Sequence, residues 1–388
     1  MLKIKVIGIG AAGGKAIINL VEKGVVTQDQ ILLINSTAKD IPANYKGKAV
    51  LFDNATGCGK ERSKAKDLAL NSLKSGTINI DNFFDPDDQM CVIVASMEGG
   101  TGSGSSTIFA KYIKEVLGIN VAVVGFSGFE TDVRGMANTI EFMQDLNENY
   151  TVKIISNKKC LEGNNNLRAE QAANDELANR LNIIIAKDVI DSVQNIDDQD
   201  LYKVSTTPGY MYADRASLHG IKNVKDFNNV VNEMLDNNKS LDISEKSVKR
   251  LAVFLNIKDK TKDFIDFNFG VFKERLGNPY EIFTHVQEAD GEESISYIAS
   301  GMKLPLDEVK EIYDKYKEGS EKVNKAKDDF FNFANELRGN EEDSMFNVQD
   351  NEFKNPEVSK KDFFNSFIQS NKQPNNIKDK TKDIKDQY

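Results

Sequence analysis

The segment Glu98-Gly99-Gly100-Thr101-Gly102-Ser103-Gly104-Ser105-Ser106 concentrates residue types that bind anions. Four glycines let the backbone wrap a phosphate with its N–H groups, and Thr101, Ser103 and Ser105 add hydroxyl donors. The segment follows the apolar run Met90–Ser96 and opens an amphipathic one. A plain glycine/serine linker is the bland alternative, but linkers do not normally join a buried strand to an amphipathic helix.

A second glycine turn, Gly8-Ile9-Gly10-Ala11-Ala12-Gly13-Gly14, joins the run Leu2–Ile9 to another helical pattern. Close approach of backbone to phosphate explains such a turn. Its Gly8-x-Gly10-x-x-Gly13 spacing also fits a dinucleotide fingerprint. That reading expects an acid after the second strand, and the chain has Ile34-Asn35-Ser36 there. A purely structural turn remains the third possibility. Gly59-Lys60 invites a P-loop reading and fails it, since Glu61 stands where Ser or Thr should be and Asn54 where the first glycine belongs. Unless something else places it at a phosphate, 54–60 reads as a polar loop. Asn195-Ile196-Asp197-Asp198-Gln199-Asp200 is acid-rich and, by composition alone, a solvated turn. Asn174 precedes a long apolar run; its amide suits the paired polar edge of guanine, or it is an ordinary helix-surface residue.

Positioning these groups requires alternating elements. Leu2–Ile9, Ile31–Asn35, Ala49–Phe52, Met90–Ser96, Asn120–Phe126 and Val152–Ser156 read as buried strands. Gly14–Glu22, Glu61–Ser75, Ser105–Leu117 and Met136–Asn147 read as the helices between them. This alternation predicts a parallel sheet covered on both faces. Leu167–Val193 is expected as a long helix bridging two domains. Leu251–Ile257, Asp266–Gly270, Tyr280–Gln287 and Ser294–Gly301 are expected in a second sheet, the last two as a hairpin across the acidic turn Glu288–Glu293. Pro305–Leu337 predicts one long helix stopped by Gly339. Beyond Asn340 the chain turns polar, with Phe363, Phe364, Phe367 and Ile368 on one helical face. Asn371–Tyr388 carries five lysines against three aspartates.

Composition bounds the function. The 388 residues allow two domains and a tail, and 40% hydrophobic with 28% charged residues is ordinary for a globular chain. A net charge of -10 argues against direct DNA binding and against an anionic membrane. The separated cysteines Cys58, Cys91 and Cys160 point to a reducing compartment without a metal cluster, and two histidines leave little scope for a histidine metal site. With no signal-like or membrane-spanning run, the expectation is a cytoplasmic protein.

Taken in order, these motifs resemble the tubulin/FtsZ family. Gly99–Ser105 is similar to its phosphate-binding loop, and Ile4–Gly14 to the FtsZ strand and glycine turn. Phe129-Glu130 with Arg134 resembles the ribose-loop segment, Ala173-Asn174-Asp175 the start of the central helix, and Ser294–Met302 a strand of the second domain. Asn195-x-Asp197-x-x-Asp200 matches the family's NxDxxD synergy loop. Ala11 and Ala12 replace family glycines, and Asn54–Lys60 matches only loosely. The resemblance implies a GTPase with a Rossmann-like parallel-sheet domain over 1–166. It further implies a central helix and catalytic loop over 167–200 and a second α/β domain with a mixed sheet over 201–304. A long helix at 305–339 and a flexible tail at 340–388 complete the expected plan. GTP or GDP, with Mg2+, would sit on Gly10, Ala11, Ala12, Gly13, Gly99, Gly100, Thr101, Gly102, Ser103, Gly104, Glu130, Arg134 and Asn174, with no separate protein metal site. Asp200 and Asp197 would polarise water and Asn195 position it, in the pocket of the next subunit of a head-to-tail filament. Among branches of the family, the long last helix and lysine-bearing tail resemble TubZ, whose tail binds a DNA-binding adaptor in plasmid and phage partition. A cell-division FtsZ or a phage-centring tubulin is the alternative.

Overall fold

A computed structural model describes residues 2–43, 45–53, 56–146, 150–161, 165–186 and 196–338, the last eleven by their backbone alone. The chain divides into two units, 1–325 and 326–388. Of the second unit, the described part is the C-terminal end of one helix. Asn195, the last residues of the expected 167–193 helix and the whole tail from 339 lie outside the described residues.

The first half follows its hydrophobic pattern. Strands β1 (Ile4–Ile9), β2 (Ile31–Asn35), β3 (Lys48–Leu51), β4 (Met90–Ser96), β5 (Asn120–Ser127) and β6 (Thr151–Ser156) alternate with helices α1 (Gly10–Glu22), α2 (Arg62–Ser75), α3 (Thr101–Glu115) and α4 (Val133–Asp145). β1, β2 and β6 are buried at every position, which is why they read as unbroken apolar runs rather than alternating ones. Each fully buried Val, Ile or Leu in them contributes roughly 1.5–3 kcal/mol. Helix α5 (Asn166–Ile184) packs Ala173, Leu177 and Leu181 into the same core.

After α6 (Asp198–Thr206) come β7 (Gly209–Ser217), α7 (Val224–Asp236), β8 (Arg250–Ile257), α8 (Gly270–Leu276), β9 (Glu281–Glu288), β10 (Ser294–Met302) and α9 (Leu306–Arg338). All ten strands form one mixed, mostly parallel sheet in the order β3-β2-β1-β4-β5-β6-β7-β10-β8-β9. This is an α/β fold with a parallel first half and a mixed second half, as the sequence predicts, but the later strands continue the first sheet through the β6–β7 pair rather than forming the expected second one.

Two further expectations fail in the second half. β9 and β10 are not a hairpin: β10 lies between β7 and β8, antiparallel to both, and β9 runs parallel to β8 at the edge. Burial decides this. β10 is buried at eight of its nine positions and belongs inside the sheet, whereas β9 is mostly half-buried and suits an edge. Asp266–Gly270 is not a strand either. The Asp266 carboxylate accepts N–H bonds from Asn268 at 3.0 Å and Gly270 at 2.9 Å, closing a turn that launches α8. β7 was absent from the expected strands because Asp214 and Arg215 interrupt its apolar pattern; Asp214 is in fact buried against Arg180 of α5.

Candidate nucleotide site

Strand order places the site. β1 is followed on one side by β2 and β3 and flanked on the other by β4, so the order reverses between β1 and β4. Ligands of open α/β sheets bind at the carboxyl ends of strands beside such a reversal. The two glycine turns lie there, one after β1 and one after β4. Gly10 has φ +75°, and a Cβ on it would come within 3.2 Å of the Gly102 nitrogen. The turns therefore touch backbone to backbone and form one cradle, open toward the N-termini of α1 and α3. Both termini direct unpaired N–H groups and positive dipole ends at it. Ala11 is exposed and Ala12 half-buried at the start of α1, with Gly13 buried beneath them. In place of family glycines, the alanines offer the same N–H groups.

The hydroxyls of α3 divide. Thr101 Oγ1 meets Ser36 Oγ at 2.6 Å, tying the cradle to the end of β2. Ser103 and Ser105 are fully buried and donate back to the carbonyls of Gly99 and Thr101, the latter at 2.6 Å. Their hydroxyls are thus engaged within the helix rather than offered as donors to an anion, a correction to the expectation from composition.

Residues 57–61, read from sequence as a polar loop, close the cradle from the side. The Gly57 N–H donates to the Ser36 carbonyl at 2.9 Å, and a Cβ on Gly100 would lie 2.9 Å from Lys60 Cα and the Glu61 nitrogen. Only a glycine at 100 permits this approach. Arg62, 2% exposed, braces the far side. Its Nε donates to the Ser103 carbonyl at 3.1 Å, and its guanidinium pairs with Glu141 at 3.2 Å and with Asp145.

Asn138, absent from the sequence candidates, joins these loops. From a fully buried position in α4, its Nδ2 donates to the carbonyls of Glu98 at 2.9 Å and Lys60 at 3.0 Å and lies 3.4 Å from that of Gly99. A buried amide on the apolar face of an amphipathic helix was the available signal. Glu98 opens the phosphate loop with a carboxylate that accepts the Glu130 N–H at 3.1 Å. Burial pushes its pKa up, against that hydrogen bond. The Glu130 side chain pairs with Lys158 at 3.5 Å and with Lys315 of α9. Arg134 is exposed, its Nε 3.3 Å from the Lys60 carbonyl. Glu130 and Arg134 thus border the cradle.

Asn174 is half-buried on α5, and its side-chain amide makes no hydrogen bond to another described residue. Its neighbour Asp175 accepts from Asn19 of α1 at 3.2 Å and pairs with Lys23 at 3.3 Å, fixing α5 against α1.

Asp197 and Asp200 are elsewhere. Asp197 caps α6, its Oδ1 accepting the Asp200 N–H at 2.8 Å, and Asp200 lies 3.8 Å from Lys203. The Tyr202 hydroxyl accepts from Asn120 Nδ2 at 2.6 Å. Asn120 is the first residue of β5, whereas the 128–134 segment that borders the cradle follows its last. At about 3.3 Å per residue, a strand of this length separates its ends by roughly 25 Å. The acidic loop and the glycine cradle occupy opposite ends of the sheet.

These features define an α/β protein with a glycine-lined cradle at the switch point of its sheet. Residues 3–165 match the GTPase domain of the Tubulin/FtsZ family. Over those residues the chain is similar to that GTPase domain, and its overall fold is similar to that of the solved TubZ structures. Among proteins of related sequence, it is 27% identical over 298 residues to cell division protein FtsZ 2 of Pyrococcus furiosus, covering 72% of this chain and 71% of that one. It is 26% identical to FtsZ 1 of Methanocaldococcus jannaschii over 53% of this chain, but spans only 57% of that relative. Among solved structures, TubZ of Bacillus thuringiensis serovar israelensis, crystallised as a GTPγS-form protofilament, superposes with TM-score 0.69 at 17% identity. That match covers 86% of this chain and 95% of the other. TubZ of the Clostridium botulinum phage c-st gives TM-score 0.66 at 16% identity, over 83% and 98% of the two chains.

Proposed function

We propose that this chain hydrolyses GTP and assembles head to tail, each copy completing the catalytic site of the next. One observation carries the reading: the phosphate cradle and the Asp197/Asp200 loop lie at opposite ends of the sheet. Phosphoryl transfer needs both held phosphates and a group that orients the attacking water. The cradle supplies the first and has no carboxylate from the acidic loop; a second copy stacked on it brings one. Such a contact joins unlike faces and propagates as an open filament. In this reading Asp200 and Asp197 orient the water with Asn195, while Glu130, Arg134 and Asn174 hold the ribose and the guanine. The domain plan of 1–166, 167–200 and 201–304 follows from the same division of labour.

A Cβ at Gly10 or Gly100 would press on the backbone of Gly102 or of Lys60 and Glu61, so glycines at these positions let the loops of the cradle close on one another. Among the described residues no group of three His, Cys, Asp or Glu side chains converges as a metal site. A magnesium ion accompanying GTP would be held mainly by phosphate oxygens and water, as this small, hard cation commonly is.

The test is phosphate release per subunit against protein concentration, followed in parallel with pelleting. Turnover should rise where filaments form, and turnover independent of concentration would overturn the shared site. Asp200→Ala should bind GTP and still pellet while losing nearly all turnover.

For the cellular role we favour DNA partition of the TubZ kind, supported by the structural likeness and the long α9, with a DNA-bound adaptor held by the tail beyond 340. Cell division is the second reading, favoured by the FtsZ names of the sequence relatives. Deleting 340–388 should abolish adaptor capture and leave GTPase activity intact. Retained adaptor binding would count against the tail's role. No helix among the described residues is long and apolar enough to cross a membrane.

A further inference from the structure

Glu130 borders the cradle, and the fold clamps it from two sides. Its backbone has φ +57°. That left-handed conformation is unfavourable for a residue with a side chain and persists only where surrounding contacts impose it. The contact here is the Glu98 carboxylate, at the entrance of the phosphate loop, which accepts the Glu130 N–H at 3.1 Å.

The Glu130 side chain is held by a helix 185 residues further along the chain. Lys315 of α9 donates to Glu130 Oε2, and Lys158 Nζ lies 3.5 Å from the same oxygen. Oε1 has no partner among the described residues. Two ammonium groups thus converge on one oxygen of a carboxylate that is only 18% exposed, where charges are screened less than at an open surface. Lys315 is itself fixed along α9. Before it, Val309 and Ile312 are buried, and Glu308 accepts the Asp242 N–H at 2.6 Å and pairs with Lys159 at 3.3 Å. One turn after it, a Cβ on Gly319 would come within 2.8 Å of Val133 Cγ2, so α9 lies tight against the first turn of α4.

We propose that Lys315 is a positioning residue for the nucleotide: it holds one oxygen of Glu130 and leaves the other to accept a ribose hydroxyl. The docked α9 then becomes part of nucleoside recognition. A carboxylate fixed in advance loses less freedom on binding than a mobile one. The coupling is reciprocal, so a bound nucleoside also tightens α9 against the first half of the chain. This inference rests on the GTP-binding reading above.

Affinities for GDP and for 2′,3′-dideoxy-GDP, measured on the full chain below its assembly concentration, test it. Lys315→Met removes the charge and keeps an unbranched side chain. It should weaken GDP roughly fivefold, part of what one charge-assisted hydrogen bond contributes, and leave the dideoxy nucleotide within about twofold. Lys315→Arg should recover most of the loss. In a Glu130→Gln background, Lys315→Met should change neither affinity. GDP should also slow amide exchange in α9 of the wild-type chain, and do so less in Lys315→Met. Retained dideoxy-GDP affinity shows that the pocket of each variant is folded. Equal losses for both nucleotides, or no loss for either, would overturn the assignment, as would an α9 whose exchange ignores GDP. A wild-type chain that binds GDP and dideoxy-GDP equally would remove the ribose role while leaving the GTP reading in place. One that binds neither GDP nor GTP would remove that reading, and this proposal with it.

Discussion

Asn138 illustrates how the site is fastened one residue at a time. A single buried amide donating to carbonyls of two separate loops fixes their spacing more effectively than either loop's own sequence. Asn138→Leu would leave those carbonyls unpaired at a cost of roughly 1–3 kcal/mol each, so nucleotide affinity should fall together with the urea midpoint. Glu98 is the opposite case, a charge the fold disfavours. Because burial raises its pKa, the unfolded chain releases its proton more readily, and the ionised side chain destabilises the native state above that raised value. Glu98→Gln should therefore increase the urea midpoint at pH 7. The gain should shrink as pH falls through the raised pKa toward the ordinary value of 4.5. A gain that is constant with pH would show that burial of charge is not the cause.

Among the elements, β6, α5 and β7 share a buried polar seam. Lys153 of β6 is fully buried with Nζ 3.1 Å from Ser240 Oγ, beside the Arg180 pairs with Glu176 and Asp214. Burial first, and then the charge of Arg180, push Lys153 down to about 8. A lysine lowered on folding lets the unfolded chain bind the proton better, so its penalty is full below that value and disappears as pH rises toward 10.5. Lys153→Met should stabilise the protein at pH 7 by on the order of 2 kcal/mol, after the loss of one hydrogen bond. Thermal melts at pH 7 and near pH 10 check this, since the advantage should nearly vanish in the second. The elements were legible from sequence to different degrees. Strands β1, β2, β4, β5 and β6 were placed within a residue or two because burial leaves a nearly unbroken apolar run, whereas β3, expected as a buried strand, is a mostly exposed strand at the sheet edge. Helices α1 and α3 begin earlier than their apolar periodicity, since glycines and small residues build their first turns. The β7 run was hidden by Asp214, whose partner lies on α5 and not nearby in sequence.

For the whole molecule, the separation of cradle and acidic loop turns a catalytic question into one of assembly. Two inactive variants should complement each other. Gly100→Ala spoils the cradle by pressing a Cβ to 2.9 Å from Lys60, while Asp200→Ala spoils the acidic loop. Random copolymers of the two would contain about one fully intact contact in four, so an equimolar mixture should regain up to roughly a quarter of wild-type turnover per subunit. Phosphate release from the mixture no greater than from either variant alone would argue that each copy is catalytically self-contained.

By itself, the sequence determined the parallel first half, the two glycine turns, the long last helix and the resemblance to a GTPase family. Each of these is written in local periodicity or in a short motif whose chemistry follows from its residue types. The tertiary structure alone decided that β10 sits between β7 and β8, that Ser103 and Ser105 turn inward, and that 57–61 closes the cradle with Asn138 and Lys60. It also set the acidic loop at the far end of the sheet from the glycines. Strand neighbours and loop-to-loop contacts arise from burial and hydrogen bonding between segments far apart in the chain. No local pattern encodes them, and residues whose roles depend on such contacts become visible only once the chain is folded.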